Sequence, residues 1–257
     1  MKPQKNKVSI FPLLGLPEFK NGDDIAYELF MQTNNLNKSS KPQSGDILII
    51  TQKAVSKCEG QTIHLETVTP TKKACKLAKI TDKDPRLMQL IINNTKRFLA
   101  IRKGLIIVET LQGIKCANAG IDSSNVPGND TVTLLPSNPN KSAKNISERA
   151  SDLFGIHLPV IITDSFGRPW REGILDMAIG TYGMKPLLNL IDTKDAEGQI
   201  LHSTILAIAD SLAAAANLVV NKNTNVPVVI IRGYYYELNN NINKESLERP
   251  MKTDIFI

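Results

Sequence analysis

The sequence predicts an α+β fold in which mixed β-sheets are flanked by helices. Asp46–Thr51 is an apolar run without polar alternation, the pattern of a strand buried on both faces, and Pro159–Thr163 and Pro227–Arg232 are further β-branched runs. Strands and helices follow one another irregularly, unlike the regular alternation of a doubly wound parallel sheet. Leu105–Glu109 and Ile114–Ala117 flank the turn Leu111–Gly113, a hairpin signal that introduces antiparallel pairing.

Taken in order, Lys7–Phe11 reads as a strand and LLGLPEFKNG as a Gly/Pro turn. Asp23–Gln32 has helical spacing, with Asn21 or Asp23 as cap. After the strand Asp46–Thr51, Ala54–Lys57 starts a short helix. Thr71–Lys79 is helical, and Asp84-Pro85 is an N-cap/N1 pair opening a helix through about Arg97. Asn125–Lys144 reads as loop, broken by Pro127, Gly128, Pro136 and Pro139. Ser142 is a candidate cap for a helix that runs to Leu153 and stops at Gly155. Gly173–Lys194 is mixed and Gly-rich, and Ile205–Val220 reads as an Ala-rich helix. No repeat or linker divides the chain. The expected organisation is a domain over 1–233, with two subdomains left open, and a polar tail over 234–257.

Composition narrows the function classes. The 257 residues, 42% apolar, suit a proper core. The N-terminus lacks a long h-region and cleavage site, so no signal peptide is read there. No run approaches the roughly 18 apolar residues of a membrane span. The three cysteines are widely spaced, the pattern of free thiols in a reducing cytoplasm. The three histidines are isolated and receive no role. The net charge of +6 is scattered, without an RNP-like aromatic pattern, so a small polyanion such as a nucleotide is preferred over nucleic acid.

Three segments carry chemistry: GDILIITQKAVSKCEG (Gly45–Gly60), CANAGIDSSNV (Cys116–Val126) and VIITDSFGRPWREG (Val160–Gly173). Asp164 follows an apolar run and Lys53 follows another, so both are expected at strand ends, where open α/β sheets bind ligands. Asp164-Ser165 offers a carboxylate and a hydroxyl to Mg²⁺ or Mn²⁺, or else begins a turn; spacing leaves both open. Asp122 lies among small residues that let a ligand approach the backbone, with an Asx turn as the alternative. Lys53 and Lys57, at i and i+4, share a helix face toward an anion or toward solvent. Arg168 and Arg171 can clamp a phosphate or carboxylate, or pair with Glu172 and Asp176. P-loop, Rossmann and GxSxG motifs do not occur.

Six ordered blocks, LPEFKNGDD, GDILIITQKAVSKCEG, CANAGIDSSNV, LLPSNPNKSA, VIITDSFGRPWREG and PVVIIRG, closely resemble the coenzyme F420-0:L-glutamate ligase family over about residues 8 to 233. The resemblance implies an F420 ligase-like mixed fold, an intertwined homodimer, and a GTP-dependent amide ligase that uses Mg²⁺ or Mn²⁺, often with K⁺ stimulation. By position, Asp122 and Asp164 would be metal ligands, with Ser165 at a second metal contact. Leu16, Pro17, Glu18 and Phe19 would line the nucleotide site. Gln52, Lys53, Lys57 and Asn125 would contact GTP, and the loop Asn221–Val226 would approach it. Asp122, Asp164 and Lys57 would be the catalytic set.

The chain departs from the family at three positions. Lys222 stands where some members have an acidic metal ligand, so either the second metal is lost or Lys222 replaces part of its charge. Ser211 replaces an acid after Ala209-Asp210, and Asn221 replaces a glycine. The implied partners are GTP, L-glutamate and an acceptor, F420-0 or a folate-type pterin, in a cytoplasmic enzyme without nucleic-acid or membrane partners. A non-catalytic nucleotide-binding homologue is the other alternative.

Overall fold

A computed structural model of the chain describes residues 7–34, 37, 40–123, 130–220, 225–241 and 246–254. It is a mixed α+β structure. Strand β1 (Ser9–Pro12) and helix α1 (Ile25–Asn34) lead to β2 (Ile47–Thr51), which passes without a break into α2 (Gln52–Cys58). Next come β3 (Thr62–His64), α3 (Lys72–Thr81), α4 (Pro85–Asn93), β4 (Thr95–Arg102), β5 (Leu105–Thr110), β6 (Lys115–Ala117) and β7 (Thr131–Thr133). Helix α5 (Pro139–Phe154) precedes a long hairpin of β8 (Val160–Arg168) and β9 (Arg171–Tyr182). Finally β10 (Leu187–Asn189), β11 (Ile205–Ala207), α6 (Ile208–Asn217) and β12 (Val228–Arg232) complete the elements of the domain.

The main sheet has the order β1-β12-β2-β8-β9. Its β2–β8 pair is parallel and its other pairs are antiparallel, so the sheet is mixed as expected. Its central strands read as continuous apolar runs because both faces are covered. Leu48, Ile50, Val160, Ile162, Val228 and Ile230 face a cluster with Leu29 of α1 and Ala143 and Ala150 of α5. Ile47, Ile49, Ile161, Val229 and Ile231 point the other way, against Ala209, Leu212 and Ala216 of α6. A separate cluster joins α3 and α4 to the three-stranded sheet β4-β5-β6 through Ala74, Ala78, Met88, Ile91, Ile106 and Val108.

Several boundaries differ from the sequence reading. The helix expected to reach Arg97 stops at Asn93, and residues 95–102 form β4. Strand β4 is held by its partner β5, where Glu109 takes Lys96 at 2.7 Å and Arg97 at 3.0 Å, a pairing that local periodicity does not contain. The Ala-rich helix starts at Ile208, since Ile205–Ala207 pairs with β10. Asn138, not Ser142, caps α5, accepting the Lys141 N–H at 3.0 Å ahead of Pro139, while Ser142 Oγ donates to Glu59. Gly155 ends α5 in the left-handed region as expected.

The Gly-rich stretch after Gly173 is largely strand β9. A Cβ on Gly180 would lie 2.5 Å from the backbone of Pro139, so the glycine lets the start of α5 sit directly on β9.

An ion pair fastens β2 to β12. Asp46, fully buried, receives Nε and Nη2 of Arg232 at 2.8 and 2.7 Å. The guanidinium also donates to Lys41 O at 2.8 Å and lies 5.0 Å from the Phe11 ring centre. This clamp ties the start of β2 to the end of β12 and to β1. Asp46→Ala strands the guanidinium and is expected to lower unfolding free energy by about 3 kcal/mol, measured by urea denaturation.

Candidate active site

A cavity of about 1300 Å³ opens where β2 and β8 stop pairing with each other. It exceeds the roughly 300–1,000 Å³ typical of a single small-molecule pocket, leaving room for more than one ligand. Thr51 and Thr163 are the last register partners of the parallel pair, and both line the cavity. Beyond Thr51 the chain turns into α2. Beyond Thr163, β8 continues against β9 alone as far as Arg168. Asp164 was expected at a strand end; it lies instead within β8, at the point where that strand leaves the sheet core. A β-bulge interrupts the register between Ile162 and Thr163, a device that re-aims side chains.

Helix α2 presents Lys53 and Lys57 to the cavity from one face. Neither is simply solvated. Lys53 Nζ lies 2.9 Å from Asp122, and Lys57 binds Glu18, which also accepts from Asn225 Nδ2 at 3.3 Å. The Lys57 hydrogen bond, opposed by partial burial, holds the Glu18 carboxyl below its usual range, with Asn225 and Lys53 adding to the effect. The buried Gln52 donates to Ser56 Oγ at 3.2 Å and to Leu134 O at 3.0 Å.

Asp122 is positioned by backbone: it exchanges N–H···O bonds of 3.0 and 2.8 Å with Thr133. The turn before it, Asn118–Gly120, carries left-handed φ values of 51°, 57° and 68°. A Cβ on Gly120 would sit 2.6 Å from Leu135, so this turn tolerates nothing larger there.

On β8, Asp164 Oδ1 accepts the Ser165 N–H at 2.8 Å, and Ser165 Oγ donates to Asp176 Oδ1 at 2.6 Å across the hairpin. Pro17, Glu18 and Phe19 line the cavity, whereas Leu16 packs on the hydrophobic cluster beneath. Asn125 and Lys222, together with residues 221–224 of the expected nucleotide loop, lie outside the described residues.

Residues the sequence reading left unused also reach the cavity. Asp210 of α6 accepts the Ala178 N–H at 2.9 Å beside the bulge in β9; burial raises its pKa, and that hydrogen bond offsets only part of the effect. Glu248, Leu247 and Asp254 bring the C-terminal segment to the cavity wall. Lys115 anchors that segment, reaching Asp254 at 3.3 Å, Glu248 at 3.8 Å and Arg249 O at 3.3 Å. These contacts join residues about 130 apart in sequence, so no local pattern announces them. The thiol of Cys116 is pushed up to about 12 by burial, with the charges of Asp164 and Glu248 adding to it.

Among the described residues no three His, Cys, Asp or Glu side chains gather as a closed metal cage. Asp122, Asp164 and the Ser165 hydroxyl nevertheless supply hard oxygen atoms to one cavity. That donor set suits Mg²⁺ or Mn²⁺, which take one or two carboxylates and fill their remaining positions with phosphate oxygens and water.

Two outcomes follow. Asp210→Asn keeps the acceptor for Ala178 and removes a buried charge. Ionisation of the wild-type group weakens the fold as pH rises, so the variant should melt at or above wild type near pH 8. The gap should narrow as pH falls and close below the ordinary aspartate range, where the carboxyl is protonated in folded and unfolded chains alike, as read by thermal melts across pH. Cys58, whose pKa is likewise raised to about 12 by burial, and Cys116 should resist iodoacetamide in the native protein at neutral pH, read by peptide mass spectrometry.

Comparison with known proteins identifies the family. The family model described as F420-0:Gamma-glutamyl ligase matches residues 14–233. The chain is 38% identical over 257 residues to Coenzyme F420:L-glutamate ligase of Methanocaldococcus jannaschii, covering 100% of this chain and 99% of the relative. A protein of the same name from Methanothermobacter thermautotrophicus is 38% identical over 251 residues, covering 97% and 98%. Another from Methanosarcina mazei is 41% identical over 216 residues, covering 83% and 84%. The segment after Gly233 lies outside the family model but inside the alignment with the Methanocaldococcus jannaschii protein. The chain belongs to the F420-0:gamma-glutamyl ligase family.

Proposed function

We propose that the protein is a GTP-dependent ligase that joins the amine of L-glutamate to a carboxylate of coenzyme F420-0 in an amide bond. The observation that carries this reading is the meeting, in one cavity, of two lysines on one helix face with the oxygen donors Asp122, Asp164 and Ser165. The names of the relatives supply the substrates; the charges supply a reason for a nucleotide.

A carboxylate is a poor acyl donor because its leaving group would be oxide. Transfer of the γ-phosphoryl group of GTP to the acceptor carboxylate releases GDP and gives an acyl phosphate. The amine of glutamate, having lost a proton, attacks the acyl carbon. The C–O bond to phosphate breaks, leaving the amide and inorganic phosphate. Lys53 and Lys57 would leave their carboxylate partners for the phosphates, a switch that requires little backbone movement because both lysines already face the cavity. Asp122 and Asp164 would hold Mg²⁺ or Mn²⁺, which supplies charge neutralisation on the phosphate oxygens, with Ser165 as a further oxygen donor. Gln52, Pro17, Glu18 and Phe19 would form the nucleotide wall. K⁺ stimulation belongs to the same reading.

We further propose a homodimer. Trp170 at the tip of the β8–β9 hairpin is 82% exposed, Ile174 54% and Leu105 46%, which is apolar surface that a second copy would cover. Light scattering coupled to gel filtration gives the mass directly. Among the described residues no helix is long and apolar enough to cross a membrane, and a cytoplasmic location is proposed with the rest.

The test is mass spectrometry of reactions with GTP, Mn²⁺, K⁺, L-glutamate and either F420-0 or dihydropteroate. Addition of glutamyl units to F420-0 with GDP released is the expected result. Addition only to dihydropteroate moves the enzyme to folate chemistry, and no product and no GDP with either leaves a third acceptor or a non-catalytic homologue, with metal-dependent GTP binding as the next test. Asp164→Asn should lower turnover by about 100-fold or more. Lys53→Met should raise the KM for GTP by about tenfold, a loss of about 1.4 kcal/mol in nucleotide binding.

A further inference from the structure

The metal and the lysines leave one requirement of amide formation unmet. At neutral pH an α-amino group is largely an ammonium, which has no lone pair to offer. It must lose a proton before its nitrogen can attack an acyl carbon. A side chain that takes this proton has to line the cavity, stay accessible to a ligand and keep a pKa suited to the task. Among the described residues no histidine lines the cavity, and the Cys116 thiol there is 4% exposed, which leaves the carboxylates.

Most carboxylates of the cavity are committed elsewhere. Asp122 and Asp164 are the candidate metal ligands, and a bound cation makes carboxylate oxygens poor bases. Glu18 is bound by Lys57, which holds its carboxyl below the usual range. Asp176 accepts the Ser165 hydroxyl at 2.6 Å, and Asp210 accepts the Ala178 N–H at 2.9 Å. The Asp254 side chain is 6% exposed and lies 3.3 Å from Lys115. Glu248 differs from all of these. It lines the cavity with its side chain 42% exposed, and its contact with Lys115 is a loose 3.8 Å.

Its segment is fixed in place. Leu247 packs on the cluster beneath α6, Ser246 Oγ accepts the Glu248 N–H at 3.1 Å, and Lys115 of β6 donates to Arg249 O. The thiol of Cys116, next to Lys115, feels both Asp164 and Glu248. Such influence fades over about 10 Å, so the metal-ligand carboxylate and Glu248 stand on the same stretch of wall. Partial burial raises the Glu248 pKa. Lys115 opposes that, and Asp210 of α6, Glu109 of β5 and Asp254 of its own segment add to it. The Arg249 guanidinium turns to Thr253 O instead. A carboxylate raised in this way is a better proton acceptor than an ordinary glutamate.

We propose that Glu248 is the base that takes the proton from the amine of the amino-acid co-substrate, a proposal that rests on the ligase reading above. The ammonium of glutamate meets the exposed carboxylate, and one N–H proton passes to a Glu248 oxygen. The freed lone pair forms the C–N bond to the acyl carbon. The C–O bond to phosphate breaks with its electron pair on the phosphate, which takes the second proton the nitrogen must lose. Glu248 then returns its proton to solvent.

Glutamate ligation and hydroxylamine trapping, compared in wild type and Glu248→Gln, test this. Hydroxylamine is a free amine at neutral pH and attacks an acyl phosphate without a base. Glu248→Gln should lose about 100-fold in kcat/KM for glutamate at pH 7, while hydroxamate formation from GTP and acceptor stays within about twofold of wild type. The wild-type profile of kcat/KM for glutamate should fall toward acid pH as Glu248 is protonated, above the ordinary glutamate value of about 4.3. Glu248→Gln should lose that limb and regain rate at alkaline pH, where the glutamate amine sheds its own proton. Glu248→Asp, its carboxylate withdrawn by one methylene, should fall between. Equal loss of glutamate ligation and hydroxamate formation marks a structural defect and overturns the proposal, as does undiminished ligation by Glu248→Gln with the acid limb still in place. A wild type that ligates no glutamate overturns the ligase reading and this proposal with it.

Discussion

The parallel pairing of β2 with β8 is the constraint on which the rest of the molecule depends. Parallel strands need long crossovers and burial on both faces. The chain meets the second need with alternate residues of three adjacent strands feeding two separate clusters, one under α1 and α5 and the other under α6. Because the pair ends in register at Thr51 and Thr163, the next residues of both strands emerge together. Lys53 and Asp164 therefore share a cavity although more than a hundred residues separate them. The functional chemistry is placed by where a buried pairing stops.

Charge in that cavity is managed by mutual neutralisation. Two lysines on one helix face would repel each other and raise the cost of burial, but each has a carboxylate from a different loop. Such pairs contribute little to stability at partly exposed sites. Their value lies elsewhere: the cations are already oriented, and a phosphate chain arriving with a metal ion exchanges one set of anionic oxygens for another. Asp210 follows a different rule. It sits where burial disfavours its charge, held by one backbone N–H, and such a group is retained at a cost to the fold.

Strain and close approach concentrate at the same wall. The left-handed turn Asn118–Gly120, the bulge of β9 opposite Ile162–Thr163 and the left-handed Trp170 at the hairpin tip all border the cavity or the hairpin that forms it. Regular packing elsewhere, together with the Asp46–Arg232 clamp, gives these departures a rigid frame. The C-terminal segment, clamped by Lys115, closes the far side and makes residues outside the family model part of the site.

The chain's own residues announce the family, the mixed sheet and the central strands. Six ordered blocks are a long-range pattern that chance does not supply, and two-faced burial leaves an unmistakable apolar run. The cap and stop of α5 divide the two kinds of information. Gly155 acts alone through its left-handed φ and was readable. Asn138 is the cap because α5 starts at Pro139, which leaves Ser142 inside the first turn, where its hydroxyl donates to Glu59, a residue 83 positions away. The first residues of strand β4, Thr95–Arg97, read as helix because the salt bridges that hold them come from β5. Asp122, Asp164 and the two lysines were visible as chemistry in their segments, but their pairing was not. That pairing, like the reach of Glu248, exists only once distant strands are side by side. Local sequence encodes propensity and period; which carboxylate meets which cation is set by register and packing between segments, a property of the folded chain.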